Sequence, residues 1–475
     1  DLSLRLPGLM DEPVQVVVGH PGKALRNIHC GLWLNLCAVP ALVRPEPGQN
    51  NWMTVFSENH QALVAYASAG PCESTTDRVY SGCAGIFRNG TTLAQTQPLQ
   101  FSTQMATATL DTTSRSKQEV SVQSIPICAD PFSEKAPSQI PFIAFNNPEE
   151  QFQQVLAIQT AGLIGRLRHT CLQKVTLGLS GGADSSLALL VCCHAFQQLH
   201  WDKTGIIAVS MPGPGNSASS QERAATLTGL CGVTHLVIPI HRALQTHLDD
   251  IGHGQQVFDV TYENAQARER TQILMDLANQ QQALMVGTGD LSEIALGWCT
   301  FNGDHMSMYD VNAGVPKTLL LQVLLWAGKA LLGTQGQALA GQVCSATISP
   351  ELLPTTTGQH AAQSTEASIG PYRLHDFFLF HVIGRSLPPH EVFDLACKAF
   401  QGDFPPSAIL RWLRIFYQRF FSQQFKRSAS ADGPQVTGVS LSPRGGWVMP
   451  SDASPALWLA ELETLAAELK EQQDE

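Results

Sequence analysis

Lys174-Val-Thr-Leu-Gly178-Leu179-Ser180-Gly181-Gly182-Ala183-Asp184-Ser185-Ser186-Leu-Ala-Leu-Leu190 is the stretch on which the reading of the chain turns. Its first residues form a short apolar run rich in β-branched side chains, the pattern of a buried strand. A Ser-Gly-Gly turn follows, then a Leu/Ala/Val run with helical spacing. Glycines in the turn let the backbone approach a ligand closely, and the start of a helix offers unpaired N–H groups to an anion. The arrangement reads as a phosphate cradle. It is not the loop that closes with Gly-Lys-Ser/Thr, because no lysine ends it and its spacing is shorter.

Working outward, an amphipathic helix pattern (Phe152, Val155, Leu156, Ile158, Leu163, Leu167) leads into this strand. Downstream lie a second strand at 205–210, a Gly/Pro/Ser loop at 211–220 and a helix at 221–230. Strands at 234–240 and 282–287 come next, with a polar-rich helix at 260–271 followed by an apolar one. Repeated strand–helix units predict a parallel sheet with helices on both faces. Helices at 393–400 and 407–420 and an acidic, solvated tail helix from Ala456 complete the chain.

Pro126, Pro131, Pro137, Pro141 and Pro148 interrupt any long element and mark a linker over 126–150. Ahead of it, strands are expected at 14–19 and 31–36, and 59–67 reads as a helix end running into a strand. Segments 84–87 and 91–94 flank Arg88-Asn89-Gly90, a strong hairpin signal because Asn-Gly readily adopts positive φ. Mixed strands and helices suggest an α+β domain. The expected organisation is a first domain over 1–125, the linker over 126–150 and a second domain over 151–475.

A chain of 475 residues, 44% hydrophobic, can bury two or three cores. A net charge of −11 argues against a nucleic-acid-binding surface, although local loops can still take an anionic nucleotide. Twelve cysteines without repeated Cys-x-x-Cys pairs fit buried thiols in a reducing cytosol better than disulfides or zinc. No uninterrupted apolar stretch has membrane-spanning length, and no signal peptide is evident. The start at Asp1, already inside folded-looking sequence, suggests a processed or incomplete chain.

The Ser-Gly-Gly-x-Asp-Ser pattern resembles the loop of the ATP pyrophosphatases, which cleave ATP between its α and β phosphates and pass AMP to a substrate oxygen. The stretch 69–77, with the hairpin after it, resembles the later half of a carbon–nitrogen hydrolase (nitrilase-like amidase) domain. Such amidases use a Glu base, an oxyanion-holding Lys and a Cys nucleophile. The segments that would carry the Glu and Lys are not found, and Cys30 and Cys37 read as buried thiols rather than the nucleophile. Val39 and Pro45 stand where glutamine contacts are expected, with Arg44 as a partial substitute. No amidase catalytic residue is therefore assigned.

Further motifs follow in one order. They are Gly287-Thr288-Gly289-Asp290-Leu291-Ser292-Glu293, Trp298-Cys299-Thr300-Phe301, Gly303-Asp304-His305 and the segment from Asn312 to Lys317-Thr318. Segments 349–354, 368–372, 425–428 and 441–445 extend the set. Together they resemble glutamine-dependent NAD+ synthetase over residues 150 to 455. The resemblance implies an α/β fold, a Rossmann-like parallel sheet flanked by helices, behind a partial α+β nitrilase-like domain. It implies a carbon–nitrogen ligase that adenylates deamido-NAD+ with ATP, releases pyrophosphate, and aminates the acyl-adenylate to NAD+.

By the same resemblance, Gly178, Leu179, Ser180, Gly181, Gly182, Ala183, Asp184 and Ser185 take ATP, as do Thr288, Lys317 and Ser349. Asn264, Glu293, Trp298, Cys299, Thr300, Phe301 and Lys426 contact deamido-NAD+, while Asp184 and Glu293 hold Mg2+. Asp310 departs from the Asn frequent in the family. Glutamine is the family's ammonia donor, but this chain is expected to use free ammonium. A cytoplasmic homo-oligomer that binds neither nucleic acid nor membrane completes the expectation. Two alternatives are another amidotransferase, such as a GMP or asparagine synthetase, and a non-catalytic assembly subunit.

Overall fold

The computed structural model describes residues 2–4, 14–18, 32–43, 52–59, 62–73, 75–109, 137–144, 147–254, 256–349, 351–353 and 365–474. The chain forms two compact units, residues 1–41 with 46–134, and residues 42–45 with 135–475. Cys30, Arg44, Pro45 and most of the expected linker lie outside the described residues.

The first unit carries β1 (Leu2–Leu4), β2 (Val14–Val18), β3 (Leu32–Cys37), α1 (Trp52–Asn59), β4 (Leu63–Ser68), β5 (Ala84–Arg88) and β6 (Thr91–Gln95). They form a six-stranded sheet in sequence order. β2, β3 and β4 run parallel, and the pairs β1–β2, β4–β5 and β5–β6 are antiparallel. The hairpin forms where Asn-Gly predicted it, with φ of 48° at Asn89 and 79° at Gly90. Trp33, Met53, Ala62, Val64 and Phe87 make its core. Cys37 is half-buried at the end of β3, and its carbonyl accepts from the Ala69 N–H at 2.8 Å.

The second unit opens with α2 (Pro148–Thr170), β7 (Val175–Gly178), α3 (Ala183–Leu199), β8 (Ile206–Ser210), α4 (Ala218–Cys231), β9 (Thr234–Val237) and α5 (His241–Asp250). It continues through α6 (Val260–Gln281), β10 (Leu284–Gly287), α7 (Leu291–Leu296), β11 (Tyr309–Asp310) and α8 (Lys317–Ser345). The five strands pair in the order β11-β10-β7-β8-β9, every pair parallel. Each strand of β8 and β10 is buried along its whole length, as a sheet covered on both faces requires. α3 and α4 pack on one face with α2 and α8 behind them, and α5 with α6 covers the other. Leu187, Leu189, Leu190 and Val191 of α3 are fully buried, each worth roughly 1.5–3 kcal/mol over exposure.

Three details differ from the sequence reading. Residues 260–281 form one helix, because Leu274 and Ala278 continue the buried face begun by Ala265 and Ala267. The two-residue β11 extends the sheet, and α8 runs for 29 residues across a break at Gly333 (φ 68°). Around that break Gly328 and Gly336 pack so closely that a Cβ on either would strike the other's carbonyl oxygen.

The rest of the unit is helical: α9 (Thr365–Ile369), α10 (Tyr372–Leu379), α11 (Pro389–Ala399), α12 (Pro406–Ser422), α13 (Gln424–Ser428) and α14 (Ala456–Asp474). α14 is not wholly solvated: Leu462 is buried, and Trp458 lies 4.8 Å from Phe421 and 6.5 Å from Tyr417, ring to ring. Among the described residues no helix is long and apolar enough to cross a membrane. Cys192, Cys193 and Cys231 are buried free thiols.

Candidate active site

β7 delivers the chain into a turn at the carboxyl edge of the sheet, where open parallel sheets bind ligands. Gly181 takes φ 81°, and a Cβ there would run into the Ser220 carbonyl oxygen, so only glycine serves. The Gly181 carbonyl accepts from Arg223 Nε at 3.1 Å. Ser180 Oγ accepts from the Gly182 N–H at 3.2 Å and shares a 3.2 Å hydrogen bond with Ser185 Oγ. α3 starts at Ala183 with no side chain capping it, which leaves its first N–H groups facing outward. Gly178 to Ser185 thus forms one rigid, donor-rich loop.

Asp184 stands in the first turn of α3. Asp290 caps α7, accepting from the Ser292 and Glu293 N–H groups at 2.8 and 2.9 Å, while Glu293 reaches back to the Asp290 N–H at 3.4 Å. This is a complete capping box. Lys317, the first residue of α8, places Nζ 2.6 Å from Asp184 Oδ1, 2.5 Å from Asp290 Oδ2 and 3.2 Å from Glu293 Oε1. One oxygen of each carboxylate lies within 4.8 Å of the others. Asp290 is fully buried, whereas Asp184 and Glu293 keep 25% and 22% side-chain exposure and so form the mouth.

Three carboxylates against one ammonium leave surplus negative charge away from water, and the protonation states respond. Burial pushes Asp290 up to about 7, with Lys317 opposing and Asp184 adding to the rise. Burial also raises Glu293 well above its ordinary value. At Lys317 burial acts to lower the pKa, but the three carboxylates outweigh it and keep the ammonium charged. A cluster of hard oxygen donors with excess negative charge suits a small divalent cation.

Second-layer contacts fix these groups. Asn312, fully buried, donates through Nδ2 to the Asp184 carbonyl at 2.9 Å and the Thr288 carbonyl at 3.2 Å. Its Oδ1 accepts from Gln159 Nε2 at 2.9 Å. Asp310, pushed up to about 8 by burial, accepts from the Asn312 N–H at 3.2 Å. On the other side, Asp376 of α10 accepts from the Thr318 N–H (2.8 Å) and Oγ1 (2.7 Å) and from the Ser292 hydroxyl. Ser292 Oγ in turn accepts the Lys317 N–H at 2.8 Å. Pro316 provides no cap of its own, so α8 is capped by α7 and α10.

Beside the acids, Asn264 accepts from Thr300 Oγ1 at 2.8 Å, and the Thr300 N–H donates to Asp304 at 2.6 Å. The Phe301 ring lies 5.3 Å from Phe425, and Arg419 covers the Trp298 ring at 5.1 Å. Lys426 Nζ donates to the Gly297 and Cys299 carbonyls at 2.8 and 2.6 Å. With Arg419 on Leu296 and Arg427 on Ala295, it crowns the carboxyl end of α7 with cations. α7 therefore has acids at one end and bases at the other.

Asp184, Glu293 and Lys317, read from separate motifs, meet at one point, and Thr288 joins them through Asn312. Ser349 sits apart from the acids. Its Oγ accepts the Glu351 N–H at 3.2 Å, and Glu351 holds Ser217 and Ser220 at the start of α4. Sequence reasoning missed Asp290, Asn312 and Asp376 as site residues, and gave Tyr372, whose ring lies 5.2 Å from Lys317 Nζ, no role. The Asp290-x-x-Glu293 spacing is a capping-box signal that could have placed Asp290 beside Glu293. Tyr372 and Asp376 carry only an i,i+4 spacing, which marks a shared helix face and nothing more.

The NAD synthase family model matches residues 156–395. Glutamine-dependent NAD(+) synthetases of Mycobacterium tuberculosis and Mycobacterium leprae are 37% and 35% identical over 450 residues, covering 85% of this chain. The chain spans 66% of the length of these curated relatives. Among solved structures, a glutamine-dependent NAD(+) synthetase from Cytophaga hutchinsonii superposes with a TM-score of 0.71 at 17% identity, covering 97% of this chain and 74% of its own. The counterpart from Acinetobacter baumannii, solved with ADP, gives 0.57 at 20% identity over 94% of this chain and 73% of its own. These two likenesses establish the fold, a parallel sheet flanked by helices with a mixed-sheet region ahead of it.

Proposed function

The chain belongs to the NAD synthase family, and we propose that it amidates deamido-NAD+ to NAD+ at the expense of ATP, using the pocket formed by Gly178–Ser185, Asp184, Asp290, Glu293 and Lys317. The observation that carries this reading is the meeting of three carboxylates and one buried lysine at the start of the helix behind the glycine loop.

The chemistry explains each part. A carboxylate is a poor electrophile, so the nicotinate oxygen attacks the α-phosphorus of ATP, the α–β bridging bond breaks, and pyrophosphate leaves. Ammonia then attacks the acyl carbon, AMP departs with the C–O bond electrons, and one proton is lost to give the amide. The first step brings two anions together. The loop N–H groups and the Lys317 ammonium are preorganised to neutralise that charge. Asp184, Asp290 and Glu293 would hold Mg2+, which when bound screens phosphate charge. Asn264 and the 298–301 segment line the approach beyond the acids and fit the dinucleotide substrate.

Ammonium is the nitrogen donor we assign to the 475-residue chain itself, since no Glu–Lys–Cys set is identified in it. The family resemblance also carries homo-oligomeric assembly and a cytoplasmic location. Incubating the chain with ATP, Mg2+ and ammonium tests the substrate. NAD+ and AMP should form in equal amounts with deamido-NAD+ and not with xanthosine monophosphate or aspartate. Turnover of either of those instead would redirect the assignment to another amidotransferase.

A further inference from the structure

The acids and Lys317 are satisfied by one another, but one polar group packed against them is not. Tyr372, the first residue of α10, is 2% exposed, and its hydroxyl has no hydrogen-bond partner among the described residues. Lys317 Nζ sits over the Tyr372 ring at 5.2 Å, and the hydroxyl lies within the electrostatic reach of Glu293, Asp290 and Asp184. The ring is held firmly. The Tyr372 N–H donates to Glu366 Oε1 at 3.0 Å, and Asp376, one turn along the same face, is bonded to Ser292 and Thr318.

An orphaned buried hydroxyl normally costs stability and calls for a reason. The chain supplies an internal control. Tyr417 of α12 is also buried with an unpartnered hydroxyl, but it packs against Trp458 and Phe416, away from the acid cluster. Orphaning alone therefore says little, and its position against the cluster singles out Tyr372. A phenol keeps its proton at neutral pH and so can serve as a donor.

We propose that the Tyr372 hydroxyl is a further substrate-binding group, donating a hydrogen bond to an anionic oxygen seated beside Lys317. That oxygen belongs either to a nucleotide phosphate or to the pyridine carboxylate, and the proposal rests on the reaction assigned above. A buried O–H aimed at an oxyanion discriminates its ligand by the strength of a charge-assisted bond, roughly 10- to 100-fold in affinity. Because phenylalanine keeps the ring under Lys317, Tyr372→Phe removes only the donor.

Calorimetry on the full chain with Mg2+ and a non-hydrolysable ATP analogue, and separately with deamido-NAD+, reads the two sources apart. Tyr372→Phe should weaken one of these ligands about 10-fold or more and lower turnover correspondingly, while the free protein melts at the same or a higher temperature. Tyr417→Phe should share the thermal behaviour and keep parental binding and turnover. If Tyr372→Phe binds both ligands and turns over like the parent, the hydroxyl has no ligand and the proposal falls. A lowered melting temperature with both affinities lost equally would make Tyr372 structural and also overturn it. Should the parent form no NAD+ from any of these substrates, the assigned reaction fails, and the ATP-analogue arm still decides the phosphate contact.

Discussion

Two buried asparagines divide the molecule. Asn35 lies on β3 of the mixed sheet, 1% exposed, with neither its amide oxygen nor its amide nitrogen hydrogen-bonded among the described residues. Asn312 follows β11 of the parallel sheet, 0% exposed, with its amide joined to Asp184, Thr288 and Gln159. Among the described residues the second is wired into its neighbours and the first is not. A buried polar side chain whose hydrogen bonds are all met specifies one arrangement of the elements around it. One left unmet within the protein lowers the stability of the free chain. In the second unit the polar residues around Asn312 are organised about three acids and a lysine.

Substitutions can break or sharpen this contrast, beginning with the largest effect. Lys317→Met removes the one cation among Asp184, Asp290 and Glu293. Pyrophosphate release should fall about 10³-fold, and the free protein should lose on the order of 3–5 kcal/mol unless Mg2+ is added. Initial rates and melting curves with and without the cation check this. Next, Asn312→Leu strands two backbone carbonyls and takes one of two acceptors from Gln159 Nε2. A loss near 10²-fold in turnover and about 2–4 kcal/mol in stability is expected by the same assays. Parental activity in that variant would erase the distinction between the two asparagines.

Acid should also act unevenly. Burial pushes His375 down to about 4 and His381 down to about 3, from an ordinary value near 6.5. A histidine depressed in the fold gives stability that is present above pH 6.5 and lost as pH falls through the folded value. Protonation of His375 should therefore cost the second unit roughly 3 kcal/mol as pH falls from 6.5 through about 4, while Asp290 and Asp310, raised in the fold, act in the opposite direction. The difference in acid unfolding between the parent and His375→Phe isolates the histidine, and the variant should have the lower acid midpoint. Smallest of all, Asn35→Leu should leave turnover untouched and gain about 1 kcal/mol or less in denaturant unfolding, since the lost amide has no partner among the described residues. Marked destabilisation by that change would show that Asn35 is engaged after all.

Legibility in the sequence followed the range of the interactions. The strand–loop–helix at 175–199 and the Asn89-Gly90 hairpin rest on neighbours in the chain, and both were readable there. Asp184 and Glu293 were recognisable from motif spacing. Their convergence on Lys317 was not, because it depends on three separate connections folding onto one sheet edge. Asp376 was invisible for a related reason: it caps a helix at Thr318, 58 residues earlier, and nothing local marks it for that task. The joining of 260–271 to the apolar helix after it went unseen because polar residues dominate its first three turns, although its buried face is continuous.

Exchange of labelled pyrophosphate into ATP reports adenylation alone, before any ammonia is consumed. With Mg2+ and deamido-NAD+ present and ammonium withheld, the parent chain should catalyse the exchange, and Glu293→Gln should reduce it to background. Exchange that persists at parental rate in Glu293→Gln, or that proceeds without deamido-NAD+, would contradict the assignment of this pocket to activation of the pyridine carboxylate.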